Sequence, residues 1–171
     1  GYMATEHLIR CGYSAIALLG ADLTTPNFFE RIHGYMDALN DNGIPYIEDR
    51  VIVGSCSISG GYEAALELLR RESGADAAFA ANDMIALGAM RGFYDSGLRV
   101  PTDIALIGFD DIAFASHAIP SLSTISQPKY DMGRIAAEKL LAQIFSEEKT
   151  VEHIVLEPTL VVRETTAEKA L

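Results

Sequence analysis

The chain has 171 residues, of which 49% are hydrophobic and 22% charged, a composition typical of one folded domain that excludes intrinsic disorder. Its formal net charge of −11 would repel a phosphate backbone, so we do not expect this stretch to bind DNA itself. The longest apolar runs, such as 77–81 and 104–108, are too short to cross a bilayer. These properties predict a globular domain that contacts neither a membrane nor nucleic acid directly.

Hydrophobic periodicity predicts helices alternating with short buried strands. In chain order, the predicted elements are a helix ending before Gly12, a strand over 15–19, a helix over 28–42, a strand over 51–54, a helix from an N-cap at Ser59 to Arg71, a strand over 77–81, a helix opening at Asn82 and ending before Ser96, strands over 104–109 and 124–126, a helix over 130–145, and return strands over 154–156 and 160–162. This alternation predicts a three-layer, doubly wound α/β fold with a mostly parallel sheet.

Polar residues follow every predicted strand from the first to the fifth. In a parallel sheet these positions share one edge, where ligands bind. The residues concerned are Asp22, Thr24 and Thr25, then Ser55, Cys56 and Ser57, then Asn82 and Asp83, then Asp110 and Asp111, then Ser126 and Gln127, with Arg31 as a nearby cation. Carboxylates accept hydrogen bonds from neighbouring hydroxyls and a guanidinium donates them, so the set suits a sugar or a nucleoside-like molecule.

Motifs for catalysis or metal binding are missing from the same edge. The sequence has no GxSxG elbow and no glycine-rich phosphate loop, and His7, His33, His117 and His153 do not cluster. Cys11 and Cys56 lack the spacing of a zinc or redox motif, and we expect free thiols. We therefore predict no enzyme activity, no metal and no cofactor.

Several stretches of the sequence, in this order and at these distances, carry a family resemblance. They read IALLGADL, RIHGYMDAL, SGGYEAALELL, FAANDMIALGAMRGFYDSGLRVPTDIALIGFDD, PSLSTISQP and LVVRETT. The chain resembles, over nearly its whole length, the effector domain of LacI/GalR transcriptional repressors, which has a periplasmic-binding-protein-like fold. The long stretch from Phe79 to Asp111 is the most specific part of the match.

The resemblance implies a ligand-binding role for particular residues. Arg31, Asn82, Asp110 and Gln127 match the family's effector-contacting positions, and Cys56 stands where the family often has an aromatic ring that stacks on the ligand. Each of the four also has a plain structural interpretation. Asp110 and Asn82 would serve as turn or helix caps, Arg31 as a surface ion-pair partner, and Gln127 as a residue that shapes the crossover.

The resemblance also implies how the chain is organised. Residues 1–126 would form the distal effector-binding subdomain, 127–150 the crossover and a helix of the proximal subdomain, and 151–171 return strands and a tail. A helix-turn-helix and most of the proximal subdomain precede the matching region in the family, so DNA would be contacted only through that absent domain. The family's dimer contact includes the helix that carries Met84, Leu87 and Met90, so we expect a cytoplasmic homodimer.

The helix over 130–145 has an apolar stripe that would pack on the proximal subdomain in the family. Without that subdomain we expect the stripe to fold onto a neighbouring chain or onto the edge of its own sheet. The stripe comprises Met132, Ile135, Ala136, Leu140 and Ile144.

Two other functions are compatible with the same pattern. One is a periplasmic sugar-binding protein of a transporter, which shares the fold and differs upstream by a signal peptide. The other is a magnesium-dependent phosphoryl-transfer domain built on Asp110 and Asp111, which requires a further carboxylate and a lysine aimed at the same point. Lys129 lies beyond Pro128 and is not expected to reach that point.

Overall fold

A six-stranded sheet between two layers of helices forms the frame of the molecule. The computed structural model describes residues 1–21, 25–145 and 151–169. Its helices and strands, in chain order, are α1 (Tyr2–Arg10), β1 (Ile16–Ala21), α2 (Pro26–Asp41), β2 (Val51–Val53), α3 (Ile58–Arg70), β3 (Ala77–Ala80), α4 (Asp83–Asp95), β4 (Ala105–Asp110), α5 (Ala113–His117), β5 (Ser123–Ser126), α6 (Lys129–Phe145) and β6 (Thr159–Val161).

The order of strands confirms the predicted fold class. The sheet runs β2-β1-β3-β4-β5-β6, and every pairing from β2 to β5 is parallel. The last strand, β6, pairs antiparallel with β5 at the edge. Strand β2 lies on one side of β1 and β3 lies on the other, so the order in which strands are added across the sheet reverses between β1 and β3. A ligand is expected beyond the carboxyl ends of the strands near this point.

Side chains of the central strands alternate between two hydrophobic cores. In β1, Ala17 and Leu19 face the core shared with α3 and α4, whereas Ile16 and Leu18 face the core shared with α1 and α2. The two-residue period of a strand produces this division. It explains why the strands read as continuous apolar runs, since a sheet covered on both faces leaves neither set of side chains in water.

Helices α3 and α4 approach so closely that their backbones touch. A Cβ atom at Gly88 of α4 would lie 1.9 Å from the carbonyl oxygen of Ile58, and one at Gly61 of α3 would lie 2.1 Å from the carbonyl oxygen of Ile85. Both distances are far shorter than a van der Waals contact, so only glycine fits. The two helices therefore form one tightly packed pair on this face of the sheet.

Two sequence predictions are wrong in detail, and one short helix has no counterpart among the predicted elements. The segment 154–156 is not a strand, and Pro158 separates it from β6. Helix α3 is capped by Ser57 and not by Ser59, because the helix begins two residues earlier than predicted, and the Ser57 hydroxyl accepts the Gly60 N–H at 3.0 Å. The five-residue helix α5 is too short to show a periodicity and was not predicted.

Helix α6 leaves its apolar stripe in solvent. The exposed fractions of Met132, Leu140 and Ile144 are 47%, 61% and 63%, so the expectation that the chain's own sheet edge covers the stripe is wrong. Packing on a neighbouring chain stays a prediction. In residues 1–21, 25–145 and 151–169, no helix has both the length and the apolarity to span a bilayer.

Gly88→Ala will destabilise the fold because the added methyl group must push α3 and α4 apart. We expect the free energy of unfolding in urea to fall by about 1–3 kcal/mol. The matched control is Gly133→Ala in α6, where an added Cβ meets nothing within 4 Å. That change should leave stability equal or raise it by up to about 1 kcal/mol. Equal stabilities for the two variants would contradict the close helix contact.

Candidate functional site

Three of the predicted site residues meet at the carboxyl edge of the sheet. Asp110 ends β4, Gln127 follows β5, and Arg31 reaches the edge from α2. The Asp110 Oδ1 atom accepts a hydrogen bond of 2.6 Å from Gln127 Nε2 and one of 3.4 Å from Arg31 Nη2. One carboxylate oxygen therefore connects residues from three separate elements.

The Arg31 guanidinium bridges the carboxyl ends of β3 and β4. Its Nη1 donates to the carbonyl oxygen of Ala81, the residue that follows β3, while Nη2 reaches Asp110 after β4. The guanidinium carbon lies 3.8 Å from the centre of the Phe109 ring and 5.0 Å from that of Phe28. Burial lowers the pKa of Arg31, and the nearby Asp110 carboxylate opposes that shift. The cation is thus held in a partly desolvated position by a carboxylate and two aromatic faces.

Asn82 is both a helix cap and a residue of this edge. Its side-chain Oδ1 accepts the Ile85 N–H at 2.9 Å, which confirms the predicted N-cap of α4. Capping uses the oxygen of the amide, so it is compatible with the NH₂ group donating to a ligand. The two interpretations of Asn82 are therefore not exclusive.

The loop after β2 lies near the same edge of the sheet. It carries Cys56, which is exposed, forms no disulfide and lies within electrostatic range of Arg31. Beside it, three serine hydroxyls are hydrogen-bonded in a row: Ser57 Oγ lies 3.0 Å from Ser55 Oγ and 3.1 Å from Ser59 Oγ. Asp22 lies outside the described residues, as do its neighbours to Thr24.

The turn after β4 has an unusual backbone that sequence reasoning missed. Asp110 and Asp111 have φ angles of 110° and 51°, a region that residues with a side chain rarely occupy. Lys129 Nζ donates to the backbone carbonyl oxygens of both, at 2.5 Å and 2.9 Å, and not to their carboxylates, so it is not aimed at the point that phosphoryl transfer would require. Arg163, which follows β6, binds Asp111 Oδ1 at 2.7 Å. The only sequence signal for Arg163 was its place in LVVRETT.

The acidic residues of this edge do not converge as magnesium ligands would. Asp110 faces Arg31 and Gln127, whereas Asp111 faces Arg163. Lys129 binds backbone carbonyls and not the carboxylates. In the part of the chain that the structure describes, no three His, Cys, Asp or Glu side chains are grouped so that they could hold a metal ion. The arrangement therefore gives no support to metal-assisted phosphoryl transfer.

An apolar cavity of about 460 Å³ opens next to the site. Phe109 and Gln127 line both the cavity and the site, and the remaining lining comes from α6 and the segment before β6. Those other lining residues are Pro128, Met132, Ile135, Ala136, Lys139, Glu152, Ile154, Leu156 and Pro158. The site is therefore continuous with the exposed stripe of α6.

A second groove, of about 560 Å³, lies along the outer face of α4. Leu87, Met90 and Tyr94 of α4 line it together with Ile119 and Pro120 of the segment after α5. Tyr94 is 73% exposed and Ile119 is 95% exposed. This face is a mainly apolar surface, which Arg91 and Arg99 also line, and nothing in the described part of the chain covers it.

Known proteins resemble this chain over most of its length. The model of the periplasmic binding protein-like domain family matches residues 5–166. The ribose operon repressor of Haemophilus influenzae is 36% identical over 96% of this chain and 49% of its own length. The transcriptional regulator CelR of Thermobifida fusca is 39% identical over 96% of this chain and 48% of its own length. The chain spans about half the length of these curated relatives.

Solved structures agree with this assignment. A complex of the regulator CelR with cellobiose superposes with a TM-score of 0.91 at 39% identity, covering 95% of this chain and 50% of the other. A LacI-family regulator from Enterococcus faecium with bound ribose gives a TM-score of 0.88 at 35% identity, covering 99% and 62%. The chain belongs to the periplasmic-binding-protein-like domain family, in the form found in LacI-family transcriptional regulators.

Proposed function

We propose that the chain is the effector-sensing part of a transcriptional repressor and that it binds a small, hydroxyl-rich molecule such as a sugar. The observation that carries this proposal is that Arg31 and Gln127 both donate to one carboxylate oxygen of Asp110 at the carboxyl edge of the sheet. Asn82 and Cys56 complete the proposed ligand wall, as does Asp22 from outside the described residues.

The chemistry of the wall supports a sugar. The Arg31–Asp110 contact of 3.4 Å is long for an ion pair, so a ligand hydroxyl can replace it at little cost. Asp110 would then accept from ligand hydroxyls while Arg31 and Gln127 donate to ligand oxygens. The Phe109 ring offers an apolar surface beside them, which suits the C–H face of a sugar ring. Two related structures contain cellobiose and ribose, and one relative is named a ribose operon repressor.

A second wall is needed to enclose the ligand, and we propose that the proximal subdomain of the regulator supplies it. Residues 1–126 would be the distal subdomain, 127–150 the crossover with a helix of the proximal one, and 151–171 the return segment. The exposed stripe of α6 and the apolar cavity beside Gln127 support this division, because both would be covered by such a partner. The ligand would then bind between two subdomains and favour one relative orientation of them.

We propose that two copies of the chain associate through the outer face of α4. Met84 is 37% exposed, and Leu87 and Met90 line the apolar groove beside it. A second copy related by a two-fold axis would bury the same surface on both chains. The dimer would present two DNA-binding domains, carried elsewhere in the polypeptide, to an operator in the cytoplasm.

We also propose that the site binds without catalysing a reaction. Asp110 and Asp111 are each paired with a cation. Burial opposes the shift, but hydrogen bonds from Arg163 and Ser126 lower the pKa of Asp111, so this carboxylate is a poor base for activating the neighbouring Ser126 hydroxyl. The curated relatives are transcriptional regulators. Transport in the periplasm remains the second candidate for this fold, and the relatives named above do not favour it.

Asp110→Asn will weaken sugar binding, because a carboxylate that accepts from two hydroxyls is replaced by an amide with one acceptor. Titration calorimetry on the full-length regulator with cellobiose, ribose and adenosine identifies which of the three compounds binds most tightly. We expect the variant to bind that compound about 10- to 100-fold less tightly. Asp103→Asn, which removes an exposed ion pair with Arg99, is the control and should bind normally. Unchanged affinity in the Asp110 variant would overturn the assignment of the site.

Leu87→Glu will reduce the association of two copies, because it places a charge in the apolar groove along α4. Sedimentation equilibrium of the wild type should give the mass of a dimer, and the variant should shift towards the monomer by about tenfold or more in dissociation constant. Leu66→Glu, on the exposed face of α3, is the matched control and should remain a dimer. A monomeric wild type, or a dimer in both variants, would contradict the proposed contact.

A further inference from the structure

A buried carboxylate lies directly behind the site and is not exposed to any ligand. Asp83 follows Asn82, begins α4 and has no solvent exposure. Its Oδ2 atom accepts the Ile112 N–H at 2.9 Å, and its Oδ1 atom accepts the Thr124 hydroxyl at 2.6 Å. Both partners belong to other elements, so Asp83 does not act as a cap for its own helix, a task that Asn82 already performs.

The sheet leaves room for this carboxylate at one glycine. A Cβ atom at Gly108 of β4 would lie 2.3 Å from Asp83 Oδ1, which is closer than any real contact of that kind. The strand that carries Asp110 therefore lies directly against the carboxylate. The Asp83 side chain therefore extends from α4 to contact both β4, at Gly108, and β5, at Thr124.

The turn held by these contacts is the one that aims Asp110. Asp110 and Asp111 both have positive φ angles, and such a backbone persists only where its surroundings determine it. Asp83 holds the amide of Ile112, the next residue, and Thr124 Oγ1 accepts the Asp111 N–H at 3.3 Å. One hydroxyl thus connects Asp83 to the turn a second time.

We propose that Asp83 is a positioning residue of the effector site, which acts through Ile112 and Thr124 to hold the turn so that Asp110 meets Gln127 and Arg31. This inference deepens the proposed function, because positioning Asp110 matters to a ligand only if the ligand binds there. The structural part of the inference, the control of Asp110 by Asp83, does not depend on any ligand.

Thr124→Val tests the proposal by removing one hydroxyl at nearly constant volume. The Gln127 side-chain amide, which donates to Asp110 Oδ1 at 2.6 Å, reports the position of Asp110 in ¹⁵N NMR spectra of the chain. We expect its two proton resonances to move towards the values of a free amide, and the Ile112 N–H to exchange with solvent about tenfold faster. Asp83→Ala should produce the same two changes to a larger extent.

Tyr35→Phe is the matched control, because it also removes one fully buried hydroxyl, which donates to the Ile16 carbonyl at 2.9 Å at the amino end of β1, the edge of the sheet opposite the turn. It should alter neither the Gln127 resonances nor the exchange of Ile112. A folded Thr124→Val chain with an unchanged Gln127 signal would overturn the proposal. Faster exchange that is equal across β3 and the turn would also overturn it, since that indicates a general loss of stability. Neither readout involves a sugar, so failure here is distinguishable from failure of the binding site.

Discussion

The backbone of Asp110 and Asp111 is the constraint on which the candidate site depends. Two consecutive residues with positive φ turn the chain sharply at the end of β4, and this turn directs Asp110 towards Arg31 and Gln127 while Asp111 faces Arg163. A backbone of this kind costs about 1–3 kcal/mol for each residue, which the surrounding contacts must offset. Lys129 offsets part of it by donating to both carbonyl oxygens.

The segment that follows β6 also contributes contacts to this turn and to β5. Arg163 follows β6 and donates to the Leu122 carbonyl at 2.7 Å as well as to Asp111, and the Thr165 hydroxyl accepts the Ser123 N–H at 2.8 Å. The return segment is therefore more than an edge strand. It closes the sheet beside β5 and fixes the far side of the turn that carries the proposed ligand acceptor.

Most of the fold could be predicted from sequence because its signals are local. Strand β4 is a continuous apolar run, and Asn82 is a strong N-cap, so both were located correctly. The rule that ligands bind at the carboxyl ends of parallel strands predicts a shared edge for Arg31, Asp110 and Gln127, and the three side chains meet there. The roles of Asp83, Lys129 and Arg163 were missed, since each depends on a non-local hydrogen bond that no spacing reveals. The predicted strand over 154–156 is wrong for the opposite reason, because its β-branched residues have strand propensity but no strand among the described residues pairs with them.

The close contact between α3 and α4 at two glycines bears on how ligand binding could change the outer face of α4. Helix α4 starts at the proposed ligand wall and runs for 13 residues, about 20 Å, to the groove that contains Tyr94. Because its backbone packs against that of α3 at Gly88 and Gly61, a shift of α4 would have to carry α3 with it or open this contact. The helix pair therefore offers a direct physical connection between the Asn82 end of α4 and the surface where we place the second subunit.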